Sequence, residues 1–181
     1  KAIATLEGAK ATLTVKGRLL YGQCLAKEGK ADLAMTQVKA VYEKEPSSEV
    51  LATLADLYLA QGKTKEALAM LDTADKNDNS VKFVLAKARI ANNEPSQARP
   101  FLDQLINQDN QNAEYYFQRG LCWYQERNWS NAQDDFASSL KYNADQMDAV
   151  YYTGVSLLKQ GKSISEERRV GKECRSRWSP Y

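Results

Sequence analysis

The sequence has no histidine, and Cys24, Cys122 and Cys174 are its only thiols. Without an imidazole, neither a Cys–His nor a Ser–His nucleophile pair can be assembled, and no Cys/His spacing suited to zinc is present. Proline is scarce, four in 181 residues, and glycine is limited to nine. No apolar run approaches the ~18–20 residues that a membrane-spanning helix needs. Neither sign of charge dominates, with 25 Lys and Arg against 23 Asp and Glu. Five of those basic residues and three of the acidic ones fall in 163–181, so residues 1–162 are neutral. A neutral body sets up no broad field for nucleic acid or an anionic membrane.

What the chain does have is repetition. The phrases Ala26-Lys27-Glu28-Gly29-Lys30, Leu59-Ala60-Gln61-Gly62-Lys63 and Leu158-Lys159-Gln160-Gly161-Lys162 each close a segment of helical apolar period. A glycine just past a helix end takes the left-handed conformation that caps the helix. After the first two turns a second periodic segment follows, with a small residue early (Ala34, Ala67) and a larger one four later (Val38, Leu71). A phosphate loop is a poor account of the Gly-Lys pairs. The glycine needed five residues earlier is Cys24, Leu57 or Ser156. The acidic-amide runs Asp75–Asn79 and Asp109–Asn112 lack the central glycine of a calcium loop and read as Asx turns.

Counting those glycines as position 15 of a 34-residue frame starts units at Val15, Ser48, Asn79, Ala113 and Met147, the last a half unit. Position 8 is then Gly22, Ala55, Ala86, Gly120 and Gly154, and position 20 is Ala34, Ala67, Ala98 and Ala132. The clearest unit is Ala113–Gln146, with Tyr116, Gly120, Trp123, Ala132, Phe136 and Leu140. This pattern resembles the tetratricopeptide repeat over residues 15–162. The resemblance implies an all-α fold, a right-handed α-solenoid of stacked antiparallel helix pairs. Small side chains let two helices cross closely, and neighbouring pairs stack to bury the apolar faces. Arg89 and Arg119 stand where the repeat has large apolar residues. The third unit lacks the turn glycine and carries Pro95 and Pro100, and Pro100 fits only if its helix starts near Gln97.

Outside the repeat, residues 1–14 are expected to be the end of a preceding helix. Residues 163–181 leave the frame, and from Ser165 on they read as a translated vector or assembly artefact, with a genuine disordered basic tail as the alternative. The chain starts without an initiator Met and is expected to begin inside a longer protein, with more repeats to follow.

The resemblance also implies a role: a non-enzymatic scaffold that binds a peptide or helix of another protein in a concave groove, with no cofactor and no metal. The family's groove positions place Phe83, Lys87, Ile90, Phe117, Leu121, Tyr124, Tyr151 and Val155 there. Members that clamp a chaperone's C-terminal carboxylate use Lys, Arg and Asn at set positions. Here those positions hold Leu19, Gln23, Thr53, Ser80 and Val84, or, one unit on, Ala52, Asp56, Val84, Glu114 and Gln118. Neither set is a clamp. Two alternatives stand beside this reading. One is self-association through the 147–162 helix, with Val150 and Leu157 exposed. The other is a docking region for a catalytic domain outside this stretch.

Overall fold

The computed structural model describes residues 14–161. The expectations for the two ends, 1–14 and 163–181, lie outside these residues apart from Thr14. Among the described residues every regular element is an α-helix: α1 (Val15–Lys27), α2 (Ala31–Tyr42), α3 (Ser48–Ala60), α4 (Thr64–Asp72), α5 (Asn79–Ala91), α6 (Pro95–Gln108), α7 (Ala113–Gln125), α8 (Trp129–Tyr142) and α9 (Met147–Lys159). The chain divides into two compact units, Lys1–Phe101 and Leu102–Tyr181, the division falling within α6.

Local chemistry fixes the helix ends. At the starts of α1, α3, α5 and α7 the side chains of Thr14, Ser47, Asp78 and Asn112 accept hydrogen bonds from backbone N–H groups of the first turn. These donors have no partner within the helix, so each cap contributes about 1 kcal/mol. The ends of α1, α3, α5 and α7 share one pattern. Lys30, Lys63, Glu94 and Asn128 donate to the carbonyls of Leu25, Tyr58, Arg89 and Trp123, each five residues back. The residue before each donor is left-handed: Gly29 (φ 77°), Gly62 (φ 73°), Asn93 (φ 61°) and Arg127 (φ 60°). The third and fourth turns thus keep the geometry of the Gly-Lys turns without glycine. Asn tolerates this region, whereas Arg127 adopts it at a steric cost. In the connections, Asp75, Asp109 and Asn143 accept from the backbone N–H two residues on, as Asx turns do.

In the first unit, α3 is buried on two sides. Val50, Leu54 and Leu57 join Leu19, Leu25, Val38 and Val41 of α1 and α2 in one cluster. Leu51, Ala52 and Ala55 join Ala67 and Leu71 of α4 and Val81, Val84, Leu85 and Ala88 of α5 in another. A helix that is apolar nearly all round has no other stable place. In the second unit, Phe117 of α7, Ala132 and Phe136 of α8 and Ala149 of α9 form the core, with Leu121, Trp123, Tyr124, Leu140 and Tyr152 packed against them.

The small residues sit where helices cross. A methyl added at Gly22 would stand 2.6 Å from Val38 Cγ2, and one at Gly120 would stand 2.6 and 2.8 Å from Phe136 Cε1 and Cδ1. At Gly154 the added methyl meets nothing within 4 Å. α6 begins at Pro95, a residue suited to a first helical turn, so the start near Gln97 that would have suited Pro100 is not taken and Pro100 lies inside the helix. Its missing N–H leaves the Ser96 carbonyl without its usual helical donor, at an exposed residue. Leu157 is 3% exposed rather than open, because it turns toward the buried face of α9 with Ala149, Thr153 and Ser156.

Three outcomes follow for thermal or urea unfolding. Gly120→Ala is expected to destabilise by about 1–2 kcal/mol, because the Phe136 ring is fully buried and has nowhere to move. Gly154→Ala is expected to stabilise by up to about 1 kcal/mol through helix propensity alone. Arg127→Gly should raise stability by about 1 kcal/mol by removing the left-handed strain. A neutral or destabilising result at that position would contradict this account of the turn.

Candidate functional site

The eight residues expected to line a groove fall in two sets, one in each compact unit. In the first unit, Phe83 and Lys87 lie one turn apart on α5. The Lys87 ammonium sits 5.7 Å from the centre of the Phe83 ring and is ion-paired with Asp56 of α3. That pairing binds α3 to α5 and occupies the charge the sequence offered to a ligand. Ile90, two turns from Phe83, is 7% exposed.

In the second unit the set is built on a stack of rings. Phe117 on α7 lies 5.7 Å from Phe136 and 6.1 Å from Tyr152, centre to centre, and is 7% exposed. Phe117 and Ile90 therefore depart from the expectation of an open surface, because their neighbours enclose them and they serve as core. Tyr152 joins the rest. It stacks on Phe136 at 5.5 Å and meets Tyr124 edge-on at 5.0 Å and Tyr151 edge-on at 5.3 Å. Tyr124 in turn meets Trp129 at 5.2 Å. Such edge-to-face and offset contacts contribute ~0.5–1.5 kcal/mol each beyond burial. Burial, helped by Tyr124, Tyr151 and Asp148, raises the pKa of the Tyr152 phenol and keeps it neutral. Above this platform Leu121, Tyr124 and Val155 are half-buried, and Tyr151 is 65% exposed.

Polar networks lock the frame around the rings. Glu114, at the start of α7, accepts from Gln118 at 2.8 Å and from Gln146 at 3.1 Å. The Ser139 hydroxyl lies 2.6 Å from Gln146 Oε1 and 2.8 Å from the Ala113 carbonyl. Arg119 forks onto Asp135 through Nε and Nη2, at 2.8 and 2.7 Å, and reaches Asp103 through Nη1 at 2.8 Å. Asp135 also accepts a hydrogen bond from Trp123 and is 5% exposed. Burial pushes its carboxyl up, opposed by Arg119, while the bond to Asp135 raises the guanidinium pKa further and keeps it charged. Arg89 is explained in the same way. It donates to Glu94 at 2.6 Å, which also accepts from Asn92 at 2.8 Å.

The sequence places Tyr152 and Trp129 in a late aromatic cluster but not among the groove positions, and it leaves Asp135 unmarked. Asp135 carried a signal: it stands 16 residues after Arg119, the offset that also joins Gly22 to Val38 and Gly120 to Phe136. Among the described residues no group of three metal-ligating side chains converges, and no helix is long and apolar enough to cross a membrane. Cys24 is half-buried, and Cys122 is fully buried with its thiol donating to the Gln118 carbonyl at 3.4 Å.

Helix pairs joined by a left-handed turn and crossing on a small residue define a helical-repeat protein. The tetratricopeptide repeat family model matches residues 25–81 and 58–118, and the chain belongs to that family. A curated relative, the DnaJ homolog subfamily C member 7 homolog of Dictyostelium discoideum, is 29% identical over 98 residues, 54% of this chain and 17% of that protein. Solved structures share the fold. TTC0263, a tetratricopeptide repeat protein of Thermus thermophilus, superposes with a TM-score of 0.73 at 15% identity, covering 86% of this chain and 89% of its own. MamA from Desulfovibrio magneticus RS-1, from residue 41 onward, does so with 0.66 at 13%, covering 91% and 97%. YrrB, described as a tetratricopeptide repeat protein with an unusual peptide-binding site, gives 0.55 at 19%, covering 89% and 86%.

The Arg119–Asp135 pair yields a double-mutant test by urea unfolding. Arg119→Leu and Asp135→Leu are each expected to cost about 2–4 kcal/mol, because each strands a desolvated opposite charge. The double variant should return to within about 1 kcal/mol of the parent, and additive losses would refute this. Asp103, whose side chain is 53% exposed, contributes little to the pair.

Proposed function

We propose that the chain is a non-enzymatic scaffold whose second unit binds a segment of another protein across α7 and α9. The observation that carries this is the side chain of Tyr151, largely exposed and seated edge-on against Tyr152, whose ring also meets Tyr124 and Phe136. Tyrosine offers a large contact area with little rotamer freedom to lose, and aromatic anchors in rigid surroundings dominate binding energy at interfaces. The platform matters as much as the exposed rings, because a preorganised surface loses little entropy on binding. The neutral charge of residues 1–162 favours a protein partner over a nucleic acid. The peptide-binding site ascribed to YrrB agrees with such a use of this fold.

Phe117 enters this reading as a support rather than a contact, and Ile90, in the first unit, takes no part in it. Lys87, already paired with Asp56, is placed in the first unit as a positioning group.

The test uses a peptide selected against the whole chain from a displayed random library. Tyr124→Ala and Tyr151→Ala are each expected to weaken its binding at least about tenfold, roughly 1.4 kcal/mol, with the helical signal and melting cooperativity kept. Lys87→Ala should leave the affinity unchanged. Equal affinity for parent and both tyrosine variants would overturn the proposal.

A further inference from the structure

α9 carries a second apolar feature, which shares only Tyr151 with the ring stack. Met147, Val150, Tyr151 and Leu158 are 74%, 42%, 65% and 58% exposed. With Gly154 they fall at successive steps of three or four residues, so they form one stripe along the helix, opposite its buried face. Gly154 lies at the middle of the stripe, and a methyl added there meets no described residue within 4 Å. Asp148 and Lys159 are both exposed and stand eleven residues, three turns, apart, which sets them on one edge of the stripe at opposite ends. Neither forms an ion pair among the described residues.

Two midpoints coincide. Val150 and Leu158 are centred on Gly154, and so, within half a residue, are Asp148 and Lys159. We infer that α9 docks against α9 of a second copy of this chain, antiparallel, about a two-fold axis at Gly154. The axis brings Val150 against the partner's Leu158, and the reverse, while the two glycines meet and let the helices approach to ~8 Å. It also sets Asp148 beside the partner's Lys159 on the same edge, twice over. Side by side in a parallel arrangement, the like charges would meet instead. A foreign helix would cover the stripe equally well, but nothing in its chemistry would call for a centre of symmetry shared by the apolar and the charged pairs. One helix pair is smaller than a standard stable interface, so the association is weak and depends on concentration.

Sedimentation of the full chain over about 10–500 µM tests this. The expected result is a mass rising from 20.3 kDa toward twice that value. Asp148→Lys alone and Lys159→Asp alone should each hold the chain at single mass, because each sets like charges together in the pair. An equimolar mixture of those two variants should regain the double mass, since every pair across the axis is then opposite in charge. Gly154→Glu should also stay at single mass, with its helical signal intact because the position is open. A parent chain that remains at single mass throughout would overturn the inference. So would association that is indifferent to the charge reversals, or a mixture that fails to recover.

Discussion

The rest of the structure depends on two helices approaching each other more closely than most side chains allow. Gly120 lies under the ring of Phe136, and Gly22 under Val38, with no room for even a methyl group. That contact sets how near α7 can lie to α8 and α1 to α2. The distance in turn decides which large side chains fit on either side. Phe117, Phe136 and Tyr152 stack as they do in the second unit because Gly120 leaves the space for it. Close approach also demands a tight return of the chain, which the left-handed residue at the end of each first helix provides. The crossing and the turn are thus one constraint expressed at two places.

Charge replaces apolar bulk where the repeat departs from type. Arg89 and Arg119 occupy positions where a large apolar side chain is usual, and each is met by a carboxylate, Glu94 through one guanidinium nitrogen and Asp135 through two. Glu94 stands in the turn that lacks glycine, so its interaction with Arg89 and Asn92 fixes a loop that glycine fixes elsewhere. Asp135 is anchored by both Arg119 and Trp123. The aliphatic stem of an arginine still fills part of the vacated volume, so the packing defect is smaller than the change of type implies.

The helical-repeat fold was legible because it rests on short-range signals: small residues at a fixed position, turn glycines, and apolar period between them. The surface was legible only in part. A repeat position says which way a side chain leaves its helix but not whether a neighbour covers it. Phe117 and Ile90 hold groove positions and are nonetheless enclosed. Tyr152, which encloses Phe117, comes from the following pair, 35 residues on, and no local pattern announces it. Leu157 and Leu158 show the same limit at single-residue scale. Adjacent leucines point to opposite environments, one buried and one open. Arg119 was obscure for a different reason, since its partner lies across a turn and its meaning appears only with both helices in place.

The placement of the indoles has a practical consequence. Trp123 and Trp129 both lie in the second unit, Trp178 lies outside the described residues, and residues 1–122 contain no tryptophan. The indole of Trp123 is hydrogen-bonded to a buried carboxylate, and that of Trp129 rests against Tyr124. Intrinsic emission excited in the red edge of the indole band is therefore blind to the first unit, while far-ultraviolet dichroism sees every helix of both. Recorded on one sample, the two signals separate the melting of one half of the molecule from the melting of the whole without any label.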